Sequence, residues 1–261
     1  ARKAAELALR HEKLASEHRQ SPHAPLARLM TGTHHLETRR DYETASRHFE
    51  EVIQLGGEDG EWAEEALYLL GWTHYLRASR STPENFQRAM VAMNQLLVQT
   101  SDQAEVHTHL RDDATRVMAV CLYDLSLESR NSLETANLFF HQVGSPAHAY
   151  GVFVQLAERL RTDPDREPEA MEVYRHLVDT WPQHAQTPDM EWQVLQILAQ
   201  QLQRHKATGS DATALQGELS QALSQLHSRY SRGSQWWTHN QHHPTAHETA
   251  ESYLKTTLEH Q

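Results

Sequence analysis

Four times along this chain a small residue is followed four positions later by a bulky one and three positions after that by an aliphatic one. The triplets are Ala45, Phe49 and Val52; Ala89, Met93 and Leu96; Ala136, Phe140 and Val143; and Ala170, Tyr174 and Leu177. Offsets of four and seven share one face of an α-helix but fall on opposite faces of a strand. Each triplet therefore marks a helix with one side committed to packing, and such helices need other helices to pack against. Breakers are sparse: 10 Gly and 9 Pro leave few of the turn clusters a sheet requires, while Ala, Leu, Glu, Gln and Arg suit helix interiors. The expected class is all-α, and 261 residues can bury a substantial core as one large domain or two ordinary ones.

The spacing of Ala4, Leu7, Ala8 and Leu14 predicts a first helix up to about Gln20, interrupted by Ser21-Pro22-His23-Ala24-Pro25. A hairpin is expected at about 25–57: one helix to about Thr38, a tight turn at Arg39-Arg40-Asp41, and a second helix from Tyr42 to Leu55 that Gly56-Gly57 ends. Similar pairs are expected at 62–99, with Pro83 in a favourable first-turn position, at 104–143 and at 147–182. The first helix of the third pair is expected to reach Glu128, and Trp181-Pro182 closes the fourth pair. Helices near Pro188–His205, Asp211–Tyr230 and Ala246–Glu259 complete an expected twelve, with no convincing strand.

The triplets, with the Pro182 that follows the last of them, resemble the second-helix pattern of tetratricopeptide repeats. Leu67-Tyr68-Leu69-Leu70-Gly71-Trp72 is similar to the Leu-Gly core of the family's first helices, and Asp41-Tyr42-Glu43-Thr44-Ala45 resembles the turn into a second helix. The resemblance implies a right-handed α-α superhelix of helix hairpins, a single elongated domain over 1–261 whose helices in 188–261 are divergent. In it the small residue sits where the two helices of a hairpin approach most closely, and the aromatic fills the gap toward the next hairpin. Gly71 and Ala89 are 18 residues apart, where the family has about 12, and the small anchors step by 44, 47 and 34, of which only the last is the family's period. Irregular arrays of this kind, with Thr180-Trp181-Pro182 closing a helix, are similar to those of bacterial envelope scaffolds, including the lipoprotein that assists outer-membrane β-barrel assembly. Tyr230-Ser231-Arg232-Gly233-Ser234-Gln235-Trp236, with Asn240 and Pro244, is similar to tetratricopeptide proteins of gliding bacteria. The implied setting is the bacterial periplasm or envelope, in complex assembly or motility.

In this family the first helices line a concave surface that receives an extended peptide or a helix of a partner. The resemblance puts Tyr68, Trp72 and Tyr75 on that face, together with His34 and Glu37 in the first hairpin and Gln155 and Arg159 in the fourth. Three rings spaced by four and three residues adjoin on one helix side, and large aromatics supply the rigid contact area of binding hot spots. Their alternative role is packing between hairpins; that of the four polar residues is a solvated surface.

The remaining features bound the function. With 35 acidic and 24 basic residues the formal charge is −11, which repels phosphate backbones and argues against nucleic acid as a partner; the 20 His take up charge below about pH 6.5. Cys121 stands alone in an apolar helical run and reads as a buried side chain rather than a reactive thiol. No run of about 18 apolar residues offers a membrane span. The chain begins at Ala1 without a signal pattern, the expectation for a processed protein or an excerpt of a longer one. His239, His242, His243 and His247, near Glu248, are an alternative zinc or nickel site, against a solvated polar tail in which Pro244 breaks the helix. Trp236-Trp237 reads as a cap over the last hairpin, with a docking knob as the alternative. There is no nucleophile elbow, phosphate loop, His-Glu-x-x-His pattern or paired Cys set, so the reading is a non-catalytic protein or peptide binder without a cofactor. The alternatives are an accessory subunit of a larger envelope or motility complex and a metal-binding protein.

Overall fold

The computed structural model describes residues 21–56, 60, 62–101 and 108–259. Among them the chain is all-α, with eleven helices of eleven to twenty-two residues, one of five, and no strand beyond an isolated bridge between Ser79 and Thr82. The helix expected over 1–20 lies outside the described residues.

The chain divides into two compact units, Ala1–Val152 and Phe153–Gln261. The first holds α1 (Ala24–His34), α2 (Tyr42–Gly56), α3 (Ala63–Arg77), α4 (Glu84–Gln99), α5 (Thr108–Leu125), α6 (Ser132–Gln142) and the start of α7 (Ala149–Arg161). The second holds the rest of α7, then α8 (Glu167–Thr180), α9 (Thr187–Thr208), α10 (Thr213–Tyr230), the five-residue α11 (Gln235–His239) and α12 (Pro244–Glu259).

In the first unit each helix from α1 to α5 packs on the next, and α3 also touches α5. Short connections fold such neighbours antiparallel. The expected turn at Arg39-Arg40-Asp41 is built in detail: α1 loosens into a π-helical turn over His35–Arg39, Arg40 takes left-handed backbone (φ 54°), and Asp41 immediately precedes α2. Asp41 Oδ1 accepts the Thr44 N–H at 3.1 Å, satisfying one of the orphan donors of the new helix; the same bonds hold the Asp41 carboxyl below its ordinary pKa. All four small anchors, Ala45, Ala89, Ala136 and Ala170, are fully buried, as are Phe49, Met93 and Tyr174, with Phe140 nearly so. Val143 departs from the pattern: α6 ends at Gln142, so the third triplet's last member caps the helix and is half-exposed.

Close approach explains two glycines. A Cβ at Gly32 would lie 2.7 Å from Cε1 of Phe49, and one at Gly71 would lie 2.6 Å from Cε of Met93. In both hairpins a glycine of the first helix thus faces the bulky residue of a second-helix triplet. Around the first of these contacts Leu29, Ala45, Phe49, Val52, Ala66 and Leu70 form one core.

In the second unit α9 packs on α8 and α10, and α12 lies against both α9 and α10. Their core is Leu195, Leu226, Tyr230, Trp236 and Ala250. Helix α11 was not expected from the sequence. Ser234 accepts the Trp237 N–H at 3.2 Å, and the single turn it caps drives Trp236 into the core, where the indole N–H donates to the His184 carbonyl at 2.9 Å. Asn240 Nδ2 donates to the Gln183 carbonyl at 3.0 Å, closing the same segment. Trp236 is therefore part of the core of this unit. Two boundaries also differ: α12 starts at Pro244, whose ring suits a first helical position, and α5 ends at Leu125, after which Arg130 takes φ 53°. Among the described residues no helix is long and apolar enough to cross a membrane.

Candidate functional site

Helix α3 presents Tyr68, Trp72 and Tyr75 as a continuous half-exposed stripe. The Tyr68 and Trp72 rings stand edge-to-face with centroids 6.4 Å apart, and Trp72 and Tyr75 repeat the arrangement at 5.6 Å. Edge-to-face geometry aligns the positive rim of one ring with the negative face of the next, which fixes all three side chains without burying them. Both ends of the stripe are tied down. The Tyr75 ring lies 6.1 Å from that of Phe86 at the start of α4, and the Tyr68 hydroxyl donates to Asp113 Oδ2 on α5 at 3.2 Å. Burial, chiefly, and the Asp113 carboxylate push the Tyr68 hydroxyl above its ordinary pKa, so it stays a proton donor. Asp113 also pairs with Arg116 at 2.5 Å. Exposed Glu65 lies one turn before Tyr68, and exposed Leu76 follows Tyr75.

The other expected residues are placed as follows. His34 is half-exposed at the end of α1, and Glu37 is exposed within the π-helical turn. Burial, with Arg39 and His35 next to it, lowers the His34 pKa. When α1 and α3 are set in register by Gly32 and Gly71, the counterparts of Tyr68, Trp72 and Tyr75 are Leu29, Thr33 and Leu36. At 100° per residue His34 then falls on a different side of its helix, while Glu37 follows Leu36 as Leu76 follows Tyr75. Gln155, half-exposed, and Arg159, exposed, lie one turn apart on α7 within the second unit.

Among the described residues no three His, Cys, Asp or Glu side chains stand close enough to hold one metal ion. His239, His242 and His243 are exposed, and His247 is otherwise engaged: its ring stacks on Trp237 at 4.0 Å and 14°, with Nε2 on the Trp237 carbonyl at 3.1 Å. Cys121 is fully buried and its thiol pKa is raised by that burial.

One polar cleft escaped the sequence reading. About 310 Å3 in volume, it lies between α8, α9 and α10 in the second unit and contains Glu191, Arg229 and Asp179, with an Arg175–Glu218 ion pair across it. Glu191 is 4% exposed and bonded by Arg229 at 3.3 Å; desolvation raises its carboxyl pKa against the pull of that guanidinium. Its one visible signal in the sequence is an acid among the apolar residues Met190, Trp192, Val194, Leu195, Ile197 and Leu198. Compared with protein-family models and with curated proteins, the chain matches none.

Proposed function

We propose that this chain is a non-catalytic scaffold of the tetratricopeptide type, in which the aromatic stripe of α3 receives an apolar segment of a protein partner. The stripe itself carries the reading: three large rings are held half-exposed in fixed geometry while Ala66, Leu67 and Leu70 of the same helix are buried. Ordered, partly wet aromatics lose little conformational freedom when a partner covers them, which is how hot-spot residues concentrate affinity. The order of packing supports the repeat type. Helices α1 to α5 contact their sequence neighbours, and α3 and α5, first helices of successive hairpins, touch through Tyr68 and Asp113. Exposed Glu65 and the net charge of −11 favour a basic segment and slow the approach of acidic ones. The bacterial envelope, as an assembly or motility component, is the setting that goes with this reading.

A second reading, an accessory subunit that meets several proteins over a broad surface, draws on different residues. Val91 and Val98, seven apart on one face of α4, and Leu138 on α6 are about half-exposed. Affinity capture from the source organism separates the two. A partner retained by the wild-type chain and lost by a folded Tyr68→Ala/Trp72→Ala/Tyr75→Ala variant supports the stripe, and Trp72→Ala alone should weaken that complex by about 2 kcal/mol. Equal recovery by both chains refutes it and makes the accessory-subunit reading the leading one.

A further inference from the structure

A second feature lies on another side of α3. At 100° per residue, Leu67, Leu70 and His74 point about 130° away from the aromatic stripe. There they floor an open groove of about 500 Å3 between α2 and α4, walled by Ile53, Val91 and Ala92. The volume falls in the range of small-molecule sites, and the combination of an apolar lining with a few converging polar groups is their usual character. Two of its polar groups are donors for a ligand's head. His74 is 5% exposed, and among the described residues its buried Nδ1 has no hydrogen-bond partner. The two orientations of the ring differ only in which nitrogen faces the groove. Arg88, exposed on α4 and lining the groove, forms no ion pair among the described residues, and its charge acts on the His74 ring more strongly than that of Arg77.

We propose that this groove binds a small amphipathic monocarboxylate, its apolar body on Leu67, Leu70 and Ile53 and its carboxylate shared between the Arg88 guanidinium and a ring N–H of His74. A guanidinium fork matches a carboxylate, and a buried imidazole N–H supplies a second donor. Glu50 on α2 and Glu84 on α4 also line the groove, and their charges disfavour a dianion such as a phosphate monoester more than a singly charged head. The site is separate from the stripe on α3 and does not depend on the stripe's role.

Proton linkage gives the site a signature. The free ring titrates at about 4, lowered first by burial and then by Arg88 and Arg77. A carboxylate set against it, with Glu50 and Glu84 as the other charges lining the groove, raises that value toward the ordinary one. Binding near pH 5.5 therefore takes up a fraction of a proton.

The test is titration calorimetry with 4-phenylbutyrate, 4-phenylbutanol and 4-phenylbutylamine at pH 5.5 in two buffers of different ionisation enthalpy. The expected result is saturable one-site binding of the carboxylate, about tenfold tighter than the alcohol, with the amine weakest and proton uptake on carboxylate binding. Arg88→Gln, at an exposed position, should erase the tenfold preference, and His74→Phe should erase proton uptake. Val91→Trp, which fills the groove from an exposed position, should abolish binding of all three compounds, whereas Trp72→Ala should leave it unchanged. Absence of carboxylate binding at millimolar concentration, equal affinity for the alcohol, or binding that survives Val91→Trp in a variant with wild-type circular dichroism each overturns the proposal.

Discussion

Gly32→Ala and Gly71→Ala make the same chemical change at equivalent places in two hairpins and should behave differently. Alanine in a helix interior is worth about 1 kcal/mol over glycine, so with open space around both positions each variant would gain that amount. Neither position is open. The new methyl at Gly32 would sit 2.7 Å and 3.0 Å from two ring carbons of Phe49 and 3.1 Å from Cβ of His48. Phe49 is fully buried, and a flat ring held on all sides has no low-energy way to retreat. Overpacking of this kind costs about 1–3 kcal/mol; with a ring that cannot retreat the cost falls in the upper part of that range, and after the propensity gain Gly32→Ala should be less stable by up to about 2 kcal/mol. At Gly71 the clash is nominally closer, 2.6 Å to Cε of Met93 with Cγ at 3.0 Å and Sδ at 3.1 Å, but all three atoms belong to one flexible thioether side chain, buried though it is. That side chain can shift rotamer at little cost, so Gly71→Ala should stay within about 0.5 kcal/mol of wild type. Urea unfolding followed by far-ultraviolet circular dichroism measures both variants. Adding Phe49→Leu to Gly32→Ala should recover about 1 kcal/mol of coupling. A Gly32→Ala variant more stable than wild type, or equal losses at the two positions, would refute the claim that these helix pairs are set by contact at the glycine.

Other consequences follow from buried polar groups. The His74 pKa is depressed to about 4, so the folded chain keeps the ring neutral while the unfolded chain protonates it below about pH 6.5; the contribution is intact at neutral pH and is lost as the pH falls toward 4. Between pH 7 and pH 5 this loss amounts to about 2 kcal/mol, and in His74→Phe the pH dependence of the urea midpoint should flatten by that amount, whereas an unchanged slope would assign the acid sensitivity to other groups. Arg166 is wholly buried and donates from Nε and a terminal nitrogen to the two oxygens of Glu169, at 2.9 and 2.7 Å; Glu169→Ala should cost about 3 kcal/mol or more by removing that carboxylate, and a loss below 1 kcal/mol would contradict it. Trp236→Ala should cost about 3–5 kcal/mol and expose α12 to limited proteolysis, a result that a mere surface knob would not produce.

Helical periodicity made most of the fold legible because each triplet records a helix pair in contact: Ala45, Ala89, Ala136 and Ala170 are each wholly buried. The boundaries that moved were set by interactions periodicity does not encode. The end of α1 is reshaped by a π-helical turn that Arg40 and Asp41 resolve, and α11 exists because one serine cap lets Trp236 reach a carbonyl 52 residues away. At the site, the spacing of Tyr68, Trp72 and Tyr75 correctly placed three rings side by side, since offsets of three and four fix adjacency on any helix. The assignment of His34 was weaker because it required the register between two helices. Gly32 and Gly71 supply that register, and they declare themselves only once Phe49 and Met93 are seen against them. His74 was invisible for a related reason. A histidine between Thr73 and Tyr75 carries no mark of burial in the sequence, and its orphaned nitrogen is a property of three helices together.

Helix α3 departs from the one-sided apolar pattern of a surface helix. Ala66, Leu67, Tyr68, Leu69, Leu70, Trp72, Tyr75 and Leu76 spread apolar surface around nearly its whole circumference, a composition that normally belongs to a helix enclosed on every side. Helices α2, α4 and α5 pack against it and cover most of that surface. Tyr68, Trp72 and Tyr75 stay half-exposed and Leu76 exposed, while Leu67 and Leu70 are buried at the floor of the groove between α2 and α4. A chain that needed α3 only for its core would gain solubility by placing charges at Trp72 and Val91, as it does at Arg88 and Glu84. Trp72 is instead half-exposed and ordered by edge-to-face contacts, and Val91 is 52% exposed; the two binding proposals made above would account for both.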